Sequence, residues 1–304
     1  MKLIVIIPAY NEEKTIAKVI SSIPRKIKGI NKVEILVIND GSTDETVKEA
    51  RKVKVDNVFS HKTNQGLTQS FNDGIQAALK FKADIIVSTD ADNQYDQKEI
   101  PKLLHPILLG KADMVIGNRQ IENINFLPIS KKYGNIFGSW IIRMITGCDV
   151  KDVSSGFRAY THKCVQKFNL LSNHTYTHET IIQVINKNLV IVEVPITFRK
   201  RKYGNSRLIS SVWEHIKKSS VTIIRTILMY KAFKVLVNLG FLLMFFGLVG
   251  CLRFLYFYLN GNSSGHIQSL ILSSIFISIG FTTMVMGVLA DLISINRQLI
   301  EERK

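Results

Sequence analysis

The stretch Ile85-Ile-Val-Ser-Thr-Asp-Ala-Asp-Asn-Gln94 decides how the chain is read. Its apolar run is too short for a helix and reads as a strand buried on both faces. The run ends in two carboxylates one residue apart. At an extended strand end, residues i and i+2 point to the same side, so Asp90 and Asp92 present their oxygens together. So small a set of hard oxygen donors suits Mg2+ or Mn2+ held jointly with the phosphates of a ligand.

Working outward, the same arrangement recurs. Apolar runs at residues 3–8, 33–39, 57–61, 84–89 and 112–117 alternate with helical patterns at 12–27, 43–54, 67–82 and 97–109. This alternation predicts a mainly parallel sheet with helices on both faces. In such sheets ligands sit at the carboxyl ends of the strands. Those ends carry Pro8-Ala-Tyr-Asn-Glu-Glu13, Asn39-Asp-Gly-Ser-Thr-Asp44, Asn64-Gln-Gly66 and Asp90-Ala-Asp-Asn-Gln94. Each has a bland explanation alone: Asp44 as a helix cap, Gly41 as a turn, Asn64-Gln-Gly66 as a loop. Four in succession at one sheet edge form a constellation.

These motifs, in this order, resemble the signature of family 2 glycosyltransferases of GT-A fold, and most closely the polyprenyl-phosphate glycosyltransferases of the dolichyl-phosphate mannose synthase type. The resemblance spans about residues 2–210. It implies that Pro8, Tyr10, Glu12 and Asp40 line a nucleotide pocket, and that Asp90, Asp92 and Gln94 contact a divalent metal and the sugar-nucleotide diphosphate. Asn118-Arg119 resembles the family's basic residue near the donor and acceptor phosphates. Ser154-Ser-Gly-Phe-Arg158 resembles its SGFR segment. Phe198 to Arg201, then Gly204 to Arg207, resembles its basic loop over the nucleotide. Two departures stand out: Asn93-Gln-Tyr95 where the family has Leu-Gln-His, and Lys131 and Lys132 where it often has arginine.

The implied reaction is inverting transfer of a hexose, from GDP-mannose, UDP-glucose or UDP-GlcNAc, to the phosphate of a polyprenyl (dolichyl) phosphate. Asp92, Arg119 and Arg201 are the expected catalytic residues; Arg119, Lys132, Arg158 and Arg201 are expected at the acceptor phosphate. Transfer to another lipid, such as diacylglycerol, and a non-catalytic membrane scaffold are the alternatives. Glu179 fits a pocket or a solvated helix position.

The 304 residues carry 40 Lys+Arg against 24 Asp+Glu, a net +16, with 46% hydrophobic residues. That composition excludes a disordered chain. Ten of the basic residues fall in 199–234 beside one acid, Glu214, just before two apolar stretches, 235–259 and 267–290. Each is long enough to cross a hydrocarbon core of ~30 Å. Positive charge flanking the pair predicts a cytosolic domain and tail, with residues 211–234 as amphipathic juxtamembrane helices and 291–304 as the tail. The glycosylation sequon at Asn262 lies in the short connection between the spans. Residues 3–8 are too short for a signal sequence, and three cysteines without ligand spacing read as reduced. A nucleic-acid motif is absent, so membrane lipid is the expected polyanion; a homo-oligomer stays open. Tyr133, Ile136, Phe137, Trp140, Ile141, Met144 and Ile145 form an apolar stripe beside Lys132, Asn135, Ser139 and Arg143. That pattern predicts a helix in the headgroup region or one packed on the core.

Overall fold

The structure is a computed structural model that describes residues 1–170, 176–202, 212–261 and 266–302. At 130, 145, 212–220, 222–231 and 297–302 it describes the backbone alone. The segment from Gly204 to Arg207, the Asn262 sequon, Arg303 and Lys304 lie outside the described residues. So do the side chains of Ile145, Val212, Ile216, Ile224, Ile227 and Leu228. Two compact units divide at residue 223.

The first unit is built on seven strands, β1 (Lys2–Ala9), β2 (Lys32–Asn39), β3 (Asn57–Ser60), β4 (Ile85–Ser88), β5 (Met114–Asn118), β6 (Arg158–Thr161) and β7 (Ile191–Pro195). They form one sheet in the order β3-β2-β1-β4-β6-β5-β7. Helices α1 (Ile16–Ser22), α2 (Thr46–Lys52), α3 (Leu67–Lys80), α4 (Ile100–Leu108), α5 (Ile129–Thr146), α6 (His162–Gln166) and α7 (Thr177–Asn186) connect them. Leu3 to Ile7 are all fully buried, as an unbroken apolar central strand requires. Leu3, Val5 and Ile7 pack with Ile16, Val19 and Ile20 of α1 and Leu103 and Leu104 of α4. Ile6 and Ile38 meet α3 on the other face, where Gly74 leaves room for them: a Cβ there would lie 3.2 Å from Ile38.

Register fixes the site edge. β1 pairs in parallel with β2 from Lys2↔Lys32 to Ala9↔Asn39, and with β4 from Leu3↔Ile85 to Ile6↔Ser88. β1 and β2 end together at Ala9 and Asn39, and β4 stops earlier, opposite Ile6, so Tyr10, Asp40 and Asp90 follow the strands at the same edge.

The sequence predicts five strands; the structure adds β6 and β7. β6 runs antiparallel to β4 and β5, with Ser88↔Arg158 and Ile116↔Arg158. A reversed strand begins where its neighbours end, so the chain entering β6 delivers residues 154–157 to the same edge. The helix expected at 12–27 shortens to α1, because Ile23 is extended (ψ 123°) ahead of Pro24.

Helix α8 (Val212–Leu259) covers in one element the stretch the sequence divides into juxtamembrane helices and a first span. Within the second unit its apolar half faces α9 (Ile267–Glu302). The span-length segments are Ala232–Leu259 and Ile267–Asn296, both largely exposed. Their contact is made by small residues. A Cβ on Gly240 would lie 2.6 Å from Gly280 O, one on Gly280 2.7 Å from Gly240 O, and one on Gly247 2.8 Å from Ser273 O. The large side chains around this seam, Phe241, Phe245, Phe246, Phe281 and Met286 among them, point outward.

Candidate active site

The first two post-strand segments are stapled together by short polar side chains. Asn11 Oδ1 accepts from Thr43 N at 2.7 Å, Thr46 Oγ1 from Glu12 N at 2.8 Å, and Ser42 Oγ from Asn11 N at 2.9 Å. Pro8 and Tyr10 are half-buried beside them. Asp40 grips the third segment: Oδ1 accepts from Gln65 N at 2.8 Å and Oδ2 from Gly66 N at 2.9 Å. His61 Nδ1 lies 2.8 Å from Asp40 and its Nε2 3.0 Å from Asp73. Gly41 (φ 70°) is crowded by this loop, since a Cβ there would lie 2.5 Å from Thr63 C. Asp40 thus fixes the backbone of 65–66 beside the ends of β1 and β2.

Asp90 and Asp92 follow β4. Burial, then the neighbouring Asp92 charge, pushes the Asp90 carboxyl up to about 7; burial also raises Asp92. Asp92 Oδ1 accepts from Gln94 N at 3.1 Å, closing a tight turn through Asn93 (φ 60°). No cluster of three His, Cys, Asp or Glu side chains forms a metal cage among the described residues. Two half-buried carboxylates whose ionisation is opposed by desolvation fit a divalent cation: it offsets their repulsion and leaves coordination positions for phosphate oxygens.

Arg201 reaches this pair from residues 196–202. Its guanidinium is ion-paired with Glu12 and lies 3.5 Å from Asp92. The segment carrying it is zipped onto the carboxylate loop: Arg199 N donates to Gln94 O at 2.8 Å and Gln94 Nε2 to Arg199 O at 3.1 Å. Gln94, expected among the metal ligands, thereby has its side-chain amide engaged with this strap.

Arg119, just beyond β5, is held as a fork. Nε and Nη2 each donate to Asp152 at 2.7 Å, Nη2 also reaches Ser154 Oγ at 2.6 Å, and the guanidinium lies over Phe198 at 5.3 Å. Burial opposes both charges, but the pairing prevails, so Arg119 is raised and Asp152 lowered. Glu193 of β7 secures the pair from behind, accepting from Asp152 N at 2.8 Å and Lys151 N at 3.0 Å. Sequence reasoning missed Asp152 and Glu193. Asp152 stands two residues before Ser154, the one local signal that could have found it.

Arg158 departs from its expected role at an acceptor phosphate. It is fully buried, donating to Ser155 O (2.7 Å), Val153 O (2.7 Å), Thr177 O (2.9 Å) and Thr180 Oγ1 (2.8 Å). Its guanidinium is a strut tying the 153–155 loop to α7. Lys132 is partly exposed on α5 and donates to Glu122 O. Glu179 is buried on α7 at 2% exposure, which removes the solvated reading.

Helix α5 inverts the usual amphipathic arrangement. Ser139 is buried and accepts from Val153 N at 3.4 Å, and Asn135 bonds Ser154 Oγ. Ile129, Tyr133, Phe137, Trp140 and Met144 are 48–74% exposed.

Known proteins place this arrangement. An uncharacterised Methanocaldococcus jannaschii protein is 34% identical over 211 residues, covering 68% of this chain and 85% of its own. The UDP-N-acetylglucosamine–dolichyl-phosphate N-acetylglucosaminyltransferase of Methanococcus voltae is 30% identical over 223 residues, covering 66% of this chain and 87% of its own. Among solved structures, glucosyl-3-phosphoglycerate synthase of Mycobacterium tuberculosis, in complex with Mn2+, uridine diphosphate and glucosyl-3-phosphoglycerate, matches with a TM-score of 0.57. It is 22% identical, over 75% of this chain and 78% of its own, a likeness of GT-A fold. The family model described as glycosyl transferase family 2 matches residues 4–168, from the first strand through the carboxylate pair and past Arg158, and the chain belongs to that family.

Proposed function

We propose that the chain transfers a hexose or N-acetylhexosamine from a nucleotide sugar to the phosphate of a membrane polyprenyl phosphate, with inversion at the anomeric carbon. The observation that carries this reading is the half-buried Asp90/Asp92 pair flanked by two arginines, Arg119 and Arg201, in a chain with two span-length apolar helices.

The acceptor is already an anion: a phosphate monoester loses its second proton near ~6. The site needs no strong base to activate it. It must instead hold two negative groups close together. Asp90 and Asp92, with Gln94, would hold Mg2+ or Mn2+, which when bound neutralises the leaving diphosphate. Pro8, Tyr10 and Glu12 line the nucleotide side, with Asp40 setting the 65–66 backbone. Arg119, its fork fixed by Asp152, and Arg201 take the attacking phosphate, with Lys132 nearby on α5. The exposed stripe of α5 lies in the bilayer interface, where the lipid acceptor is presented. Basic flanks put the family 2 domain and the tail on the cytosolic side.

Transfer to a lipid hydroxyl such as diacylglycerol would require a carboxylate base instead. Membranes containing the protein, given a panel of labelled nucleotide sugars with dolichyl phosphate or diacylglycerol, with and without Mn2+, test the choice. Label in a polyprenyl-phosphate product only with Mn2+ is the expected result. Label in the diacylglycerol fraction, or in no lipid, overturns it.

A further inference from the structure

Tyr95 stands where the resembling family has histidine, and it touches three parts of the site at once. It is 2% exposed. Its hydroxyl accepts the Gly156 N–H at 3.0 Å. Gly156 O in turn accepts from Ser88 Oγ at 2.7 Å, so both polar groups of that residue are fixed. Gly156 is packed directly on Asp90: a Cβ there would lie 3.0 Å from Oδ1 and 3.3 Å from Oδ2. Whatever fixes the Gly156 backbone therefore sets one wall of the Asp90 carboxylate. The Tyr95 ring stacks on Phe157 at 5.2 Å and leans on Phe198 at 5.4 Å, and its backbone makes an isolated bridge with Phe198. Phe198 begins the strap that brings Arg201 to Glu12 and Asp92.

We propose that Tyr95 is a positioning residue with two separable tasks: its hydroxyl sets the Asp90 wall through Gly156, and its ring pins the Phe198–Arg201 strap over the carboxylate pair. The first task rests on the reading of Asp90 and Asp92 as metal ligands; the second does not. The physical basis is that groups behind a metal ligand fix its orientation, and their loss commonly weakens metal binding ten- to a hundredfold. The strap is also held by the Gln94–Arg199 pairing, the Arg199–Asp96 and Arg201 ion pairs, and Phe126 and Arg119 against Phe198. Losing the Tyr95 ring removes the packing that joins Phe198 to the sheet side of the site and favours local opening.

The test uses the full chain in detergent or nanodiscs and two variants. Tyr95→Phe keeps the ring and removes the hydroxyl; Tyr95→Ala removes both. Mn2+ binding is followed by electron paramagnetic resonance with uridine diphosphate and, separately, guanosine diphosphate present, with Asp92→Ala as the metal-free reference. Strap opening is followed by the rate of tryptic cleavage after Arg199, Lys200, Arg201 and Lys202, resolved by mass. Tyr95→Phe should weaken Mn2+ binding about tenfold, with an unchanged cleavage rate and KM for the acceptor. Tyr95→Ala should also cleave at least several-fold faster there. Mn2+ binding by Tyr95→Phe at wild-type strength overturns the first task, and wild-type cleavage of a folded Tyr95→Ala overturns the second. A wild-type protein that binds no Mn2+ with either nucleotide removes the metal reading and with it the first task, while the cleavage rates still decide the second.

Discussion

Burial and the Asp92 charge push Asp90 up to about 7, so in the metal-free protein this carboxyl holds its proton across the acidic range. In the proposed reading a divalent ion takes the carboxylate form, and its affinity should therefore fall as pH drops below about 7, by up to about tenfold per unit. Mn2+ titrations at pH 6 and 8 check this; equal affinity contradicts it. Asp92→Ala should abolish metal-dependent transfer while leaving the protein folded and inserted. Arg158 gives the opposite kind of prediction. Truncating it strands three buried carbonyls, so Arg158→Ala should cost about 3–5 kcal/mol, read as a lower unfolding midpoint, whichever acceptor is used. The carboxylate pair was legible because strand periodicity alone sets Asp90 and Asp92 on one side. The fate of the arginines was not, because it depends on partners far along the chain: Asp152 for Arg119, Thr177 and Thr180 for Arg158. No spacing rule links those residues, and only the antiparallel entry of β6 brings them together.

At the scale of elements, the same strand explains what sequence reading left out. Arg158–Thr161 is four residues with a charge at its start, too short and mixed for a periodicity signal. It joins the sheet because a slot between β4 and β5 accepts it. Helix α5, by contrast, was visible as a stripe, but periodicity could not say which side faced the protein. The structure turns the polar side inward, since Asn135 and Ser139 satisfy the 153–154 loop, and leaves the aromatics outside. Replacing Phe137 and Trp140 together by Asp should therefore cut transfer to a membrane acceptor at least several-fold in the anchored chain, while uridine or guanosine diphosphate binding stays unchanged. Transfer assays in vesicles and nucleotide titration separate the two. In the second unit, Gly280→Leu would drive its side chain into Gly240 O and Met244, both under 3 Å from a Cβ. The α8–α9 contact should open, read as loss of a disulfide engineered across the seam.

On the scale of the whole molecule, the proposed function gives the +16 charge and the apolar tail one explanation, a negatively charged bilayer. The basic excess is concentrated in 199–234, beside the first span-length segment. Each Lys or Arg near an anionic surface contributes on the order of 1 kcal/mol, and salt screens that attraction. Transfer in vesicles should accordingly rise with anionic lipid content and fall as ionic strength is raised.

The outward stripe of α5 also has a practical consequence for handling the protein. It belongs to the unit that carries the sheet and the candidate site, far in sequence from the two apolar helices. Deleting those helices would leave the exposed Ile129, Tyr133, Phe137, Trp140 and Met144 in place, an aggregation surface in water. A shortened version ending before α8 should therefore still sediment without detergent. The same version with those five side chains made polar should stay in the supernatant. For this enzyme, solubility is a matter of one helical face as much as of the anchor.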